Sequence, residues 1–119
     1  MNIETLREYC IHKKSVEECF PFDDTTLVFN VGGKVFLLVS LISVPLQFNV
    51  KCDPEKAVEL REEYDCVKPG YHMSKKHWNT VLLESHLPPQ FIQKLADHSY
   101  DLVVSRINKK MKADLETLS

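Results

Sequence analysis

Residues 27–38 read Leu-Val-Phe-Asn-Val-Gly-Gly-Lys-Val-Phe-Leu-Leu. Two runs rich in β-branched and aromatic residues flank a pair of glycines, and such a pair supplies the positive φ angles of a two-residue hairpin turn. That register sets Phe29 opposite Phe36 and Leu27 opposite Leu38, so both pairs lie on the core side of a sheet. The other face then carries Val28, Val35, Leu37 and Val39, too apolar to stand simply in water, and a helix or a second copy of the chain is expected to cover part of it. Downstream, Leu46, Phe48 and Val50 alternate with Gln47, Asn49 and Lys51, which predicts a third strand with one apolar face.

Helices flank this meander. Asn2 is placed to cap a helix over about 3–12, whose apolar side is Ile3, Leu6 and Cys10 and whose first turn carries Glu4. Ser15-Val16-Glu17-Glu18 has capping-box spacing and predicts one further helical turn before Phe20-Pro21-Phe22. Asp53-Pro54-Glu55 is a helix start with a side-chain acceptor at the cap, proline at the first position and an acid next; Ala57, Leu60 and Tyr64 form its buried stripe. Pro69-Gly70 breaks the chain before a second predicted hairpin: a strand at Tyr71-His72-Met73, a tip at Ser74-Lys75-Lys76 and a strand over 77–83. Pro88-Pro89 opens the longest helix, and Asn108 is placed to cap a last one bearing Met111, Leu115 and Leu118. The order α-β-β-β-α-β-β-α-α predicts a two-layer α+β domain, an antiparallel sheet packed on helices, rather than alternating βαβ units.

The 119 residues are 44% apolar and 27% charged, which excludes disorder and suits one domain over 1–119. A chain of this size buries roughly two-thirds of its unfolded surface, enough for a core without metal or disulfide. The longest charge-free stretch, 35–50, is interrupted by Ser40, Ser43, Pro45, Gln47 and Asn49 and falls short of the ~20 residues of a membrane span. Met1-Asn2-Ile3-Glu4 does not open a secretory signal, so a cytoplasmic location is expected. Cys10, Cys19, Cys52 and Cys66 form no Cys-x-x-Cys pair and read as thiols packed as small hydrophobes. The net charge of -2 hides a polarity: residues 1–66 hold seven basic and twelve acidic side chains, residues 67–119 eight and five.

The densest run of chemistry-bearing residues is 68–79, Lys-Pro-Gly-Tyr-His-Met-Ser-Lys-Lys-His-Trp-Asn, which contains no acid. A hairpin tip with adjacent lysines can lie along phosphates as a wing does; Tyr71 or Trp78 offers a stacking face and Asn79 a base-edge donor and acceptor. The plainer place for Trp78 is the core. Phosphate contacts are therefore expected from Lys68, His72, Lys75, Lys76 and His77, with Asn79 toward bases. Lys34 stands on the first hairpin, and Arg106, Lys109, Lys110 and Lys112 would add charge if they share that side. No metal site is expected: Cys52, Cys66, His72 and His77 are zinc-ligand types, but the cysteines lie 14 positions apart across a predicted helix instead of in one knuckle. No catalytic residue or cofactor is expected either. In Asp97-His98-Ser99-Tyr100-Asp101, neighbours on a helix point about 100° apart, so Ser99 and His98 cannot act as nucleophile and base. A hydrogen-bond cluster is expected instead, His98 with Asp101 and Tyr100 with a neighbouring strand. Gly32-Gly33 and Gly70 lead into no phosphate-cradling helix.

Taken in order, Leu6-Arg7-Glu8-Tyr9-Cys10, Val31-Gly32-Gly33-Lys34, Lys51-Cys52-Asp53-Pro54, Pro69-Gly70-Tyr71-His72-Met73, Lys75-Lys76-His77-Trp78-Asn79-Thr80-Val81 and Asp97-His98-Ser99-Tyr100-Asp101-Leu102-Val103 resemble the MmcQ/YjbR family of small bacterial proteins, over almost the whole chain. The resemblance implies a secretion-chaperone-like α+β fold and a double-wing likeness to the DNA-binding domain of a phage transcription factor. The sequence departs from the family pattern at Lys13-Lys14-Ser15, where a proline-glycine turn is usual, and at Ser74, where asparagine is usual. The function expected is DNA binding, transcription-associated, through two basic hairpin wings. The alternative is a protein-interaction or chaperone-like module that docks a partner, or a second copy as a homodimer, on an apolar sheet face.

Overall fold

The computed structural model describes residues 2–71, 73–83 and 87–118, with side chains in the last helix described as far as Lys109. Helix α1 (Ile3–Ile11) begins where its cap predicts, the Asn2 side chain accepting the Thr5 amide. Helix α2 (Pro54–Glu63) does the same with Asp53 and the Lys56 amide. Between and after them run β1 (Val16–Cys19), β2 (Thr26–Val31), β3 (Lys34–Ser40), β4 (Gln47–Lys51), β5 (Val67–Pro69), β6 (Trp78–Leu82) and α3 (Pro89–Leu118). The six strands form one antiparallel sheet in the order β1-β2-β3-β4-β6-β5. Leu6 and Cys10 of α1, Ala57 and Leu60 of α2, and Ile92, Leu95, Ala96 and Val103 of α3 join Phe29, Phe36, Phe48, Val50 and Val81 in a single core cluster. The architecture is the expected α+β class, with three helices on one face of an open sheet. No described helix is long and apolar enough to cross a membrane.

Four local readings change. The hairpin starts in the expected register, Val31 with Lys34 and Asn30 with Val35, but a bulge between Phe29 and Asn30 then pairs Phe29 with Leu37, Val28 with Leu38 and Leu27 with Val39. One extra residue in a strand of period two exchanges its faces. Phe36, Leu37 and Val39 all enter the core, while Leu38 lies on the far face beside Val28. The apolar outer face expected from Val28, Val35, Leu37 and Val39 therefore does not form as such.

Ser15, expected to cap a helical turn, sits at φ 63, and Val16–Cys19 is an edge strand paired with β2. Val16 packs on the core and Glu18 reaches Arg7 of α1, so tertiary contacts override the local capping pattern. The second hairpin is wider than expected: its outer strand is Val67–Pro69, and residues 70–77 make the connection. Finally, α3 runs unbroken through Asn108, because no glycine or proline interrupts it and one asparagine costs a helix interior only a few tenths of a kcal/mol.

The antiparallel order gives the sheet two ends. The β2–β3 turn at Gly32-Gly33, the end of β4 at Lys51, the start of β6 at Trp78 and the β5–β6 connection all lie at one end, since Val31 pairs with Lys34, Lys51 with Trp78 and Pro69 with Asn79. The opposite end carries the β1–β2 and β3–β4 loops, tied by a Leu41 N–H to Thr25 carbonyl bond. Phe20, Phe22, Ile42 and Val44 are exposed there, Val44 at 97%.

Candidate functional site

Helix α3 closes the first end of the sheet. Gly32, at φ 57, lies so near the helix that a Cβ there would stand 2.7 Å from the Ile107 Cδ1. About two turns back along the inner stripe of α3, Ser99 is wholly buried, accepts the Lys51 amide at 2.8 Å and donates to the Phe36 carbonyl. Phe36 is the extra residue of the bulge, with no register partner in β2 or β4, and its carbonyl accepts from Ser99. The serine of the triad-like stretch is thus a tie between α3, β3 and β4.

Val35, Lys51, Trp78, Val103 and Ile107 then enclose, with Lys34 and Arg106, a groove of about 390 Å³. Its charge is one-sided. Burial lowers the Lys51 pKa, and the positive charges of Arg106 and Lys34 lower it further. Among the described residues the ion pairs are Arg7–Glu18 and Lys13–Asp97, neither of which lines the groove. Asp53, two positions from Lys51, directs its carboxylate to the Lys56 amide of its own helix. Three cations therefore converge on one recess with no carboxylate paired to them among the described residues, and an anion placed there relieves their repulsion.

The β5–β6 connection is docked beside this groove. Cys52 donates its N–H to the His77 carbonyl at 2.8 Å, and Arg61 of α2 donates to the Lys75 carbonyl at 2.9 Å. Gly70 donates to the Trp78 carbonyl, and a Cβ at residue 70 would meet the Trp78 Cβ at 2.8 Å, so only glycine allows this approach. Lys75 and Lys76 are exposed on that connection and His77 is half-buried.

Of the site residues read from sequence, Lys34 and Arg106 meet in the groove, and Lys75, Lys76 and His77 stand at the same end of the sheet. Lys68 is exposed on the edge strand opposite Thr80. Lys109 lies on another side of α3, with Asp101, Ser105 and Asn108. Asn79 is 1% exposed and donates to the Ala57 carbonyl, so its amide is turned into the protein rather than toward a base edge. Trp78, placed in the core from sequence, lines the groove instead. His72 lies outside the described residues, as do the side chains of Lys110 and Lys112. Lys51 was not singled out from sequence. It was accessible there: in a meander whose first turn bears Lys34, the far end of the third strand returns to that turn.

The other candidates resolve into structure. His98 accepts the Asp53 amide at 3.2 Å instead of pairing with Asp101, and Tyr100 donates to the Lys14 carbonyl before β1. Asp97 accepts the Tyr9 hydroxyl and the Lys13 ammonium, and Lys13 also lies over the Tyr9 and Tyr100 rings. Burial first, then the hydrogen bond to Asp97, pushes the Tyr9 pKa up to about 12. Cys10, Cys52 and Cys66 are buried in the core cluster. Among the described residues no three His, Cys, Asp or Glu side chains gather as metal ligands.

Fold and site together define an α+β domain with an open antiparallel sheet and a cationic groove where the long helix crosses one end of it. The YjbR family profile matches residues 11–102, and the chain belongs to that family. It is similar to the uncharacterised protein YbdF of Escherichia coli O157:H7, 38% identical over 90% of this chain and 88% of that one. It is also similar to the uncharacterised protein YjbR of Escherichia coli K12, 30% identical over 94% and 95%. Among solved structures, Deinococcus radiodurans DR2400, a DUF419 domain, superposes with a TM-score of 0.81 at 39% identity over 86% of this chain and 78% of that one. A Pseudomonas syringae protein does so with a TM-score of 0.74 at 26% identity over 86% and 98%.

Proposed function

We propose that this chain binds DNA, with its phosphates held at the basic end of the sheet. The observation that carries the reading is topological: both hairpin turns and the crossing of α3 bring Lys34, Lys51, Lys75, Lys76 and Arg106 to one end, on a chain whose net charge is -2. Local positive charge on an acidic body gives phosphate contact without general adhesion to polyanions. Fluorescence anisotropy with a labelled duplex at low and moderate salt tests it. Binding at low salt is expected, weakened by Lys75→Glu with Lys76→Glu and, separately, by Lys34→Glu with Arg106→Glu. Absence of binding at low salt, or indifference to both charge reversals, refutes it.

A second reading, self-association or partner docking, draws on the opposite end, where Phe20, Phe22, Ile42 and Val44 are exposed on two hydrogen-bonded loops. Size-exclusion chromatography with light scattering tests the first form: a stable monomer at high protein concentration excludes self-association.

A further inference from the structure

The lining of the groove is mixed in a way that phosphate alone does not require. Lys34, Lys51 and Arg106 supply charge, while Trp78, Val103 and Ile107 supply apolar wall. A duplex backbone lying across surface lysines touches cations and polar groups and has no use for a recessed indole. A ligand that joins an anion to a flat apolar body uses both halves: the cations take the phosphate, and the ring lies along the indole or the aliphatic wall. The volume of about 390 Å³ falls in the range of small-ligand sites. The recess is also built to keep its shape, because Ile107 rests on Gly32, Ser99 holds the Lys51 backbone, and Gly70 seats the backbone of Trp78. The lowered pKa of Lys51 accords with a recess whose charge awaits an anion.

We propose that the groove takes one unpaired nucleotide, its phosphate between Lys34, Lys51 and Arg106 and its base stacked on Trp78. This rests on the DNA-binding reading and narrows it to a strand with an unstacked base, such as single-stranded DNA or a duplex end. A base inside a duplex has both faces covered by its neighbours and cannot stack on the indole without leaving the helix.

Trp78 is the single tryptophan of the chain, so its intrinsic fluorescence reports on the groove alone. Titration with a short single-stranded oligo-dT is expected to quench it saturably, inorganic phosphate to leave it largely unquenched, and a relaxed, covalently closed circular duplex, which has neither ends nor loops, to quench far less. Free thymidine monophosphate distinguishes the source: quenching at oligonucleotide-like concentrations marks the lone nucleotide as sufficient, and quenching only at much higher concentrations marks the strand. By anisotropy, Trp78→Leu and Arg106→Gln should each weaken oligo-dT binding at least about fivefold, the lower range for a lost base stack. Arg106 is exposed, so its variant folds even if Trp78→Leu does not. Equal quenching by the closed duplex, or oligo-dT binding that neither variant weakens, overturns the inference. Salt-sensitive duplex binding with Trp78 unresponsive to every strand overturns it while DNA binding stands; no binding of duplex or single strand removes both.

Discussion

The seating of α3 on the first hairpin turn yields a prediction whose size follows from two glycines. Gly32 and Gly33 both have positive φ, 57° and 77°, but a Cβ on Gly32 meets the Ile107 Cδ1 at 2.7 Å, whereas a Cβ on Gly33 meets nothing within 4 Å. Gly33→Ala therefore measures the cost of the left-handed conformation alone, about 1–2 kcal/mol. Gly32→Ala adds a steric conflict. It is relieved by turning Ile107 off its rotamer, about 0.5–1.5 kcal/mol, so its total should be roughly 2–3 kcal/mol. Ile107→Val deletes the offending Cδ1 and leaves Cγ1 and Cγ2, each 3.7 Å from the added carbon, an ordinary contact. In a double-mutant cycle, Gly32→Ala should thus cost less in the Ile107→Val background, with a coupling energy of about 1 kcal/mol, while Gly33→Ala costs the same in both. Urea unfolding followed by circular dichroism gives the four stabilities from midpoints at constant slope. Equal costs for the two glycines, or no coupling between residues 32 and 107, would refute the placement of α3 over the turn and with it the wall of the groove.

Three further outcomes follow. Ser99→Ala leaves the Lys51 amide and the Phe36 carbonyl unpaired in the interior and should cost about 1–3 kcal/mol, seen as a lowered thermal midpoint. His98 is held below its ordinary value of 6.5 by burial first and by Lys56 next, against the opposing pull of Asp53 and Asp101. The folded chain therefore binds that proton less readily than the unfolded chain, so its contribution is complete above the ordinary value and is lost as pH falls through the folded one. His98→Gln keeps an acceptor for the Asp53 amide, and its urea midpoint should fall less than the parent's between neutral and mildly acid pH. Binding of a polyanion should restore the Lys51 proton affinity, so its affinity should decline on the alkaline side earlier than in Lys51→Arg.

The fold class was legible because the elements that define it announced themselves locally: Asn2 and Asp53-Pro54 as caps, Gly32-Gly33 as a turn, the alternation over 46–51 as a strand. What sequence concealed was set by distant partners. The bulge that redirects Leu37, Leu38 and Val39 has no local mark. Its evidence is Ser99, sixty-three positions away, donating to Phe36. Val16–Cys19 carries the spacing of a helix cap and becomes a strand because β2 offers a ladder and Arg7 a partner. The candidate site divides the same way. Lys34 and Arg106 were visible as charges near a turn and on a late helix, but their meeting with Lys51 and Trp78 depends on a strand order that inserts β6 beside β4. Asn79 looked like a base-reading residue from its neighbours and is buried because it alternates with Trp78 toward α2.

The claim that the basic end of the sheet engages phosphates is tested most directly by the salt dependence of DNA affinity. With about four cations on phosphates, log affinity should fall against log salt with a slope of roughly -3 to -4, and the slope should lose about two units in the Lys34→Glu, Arg106→Glu double variant. A slope near zero, or one that the double variant leaves unchanged, would contradict it.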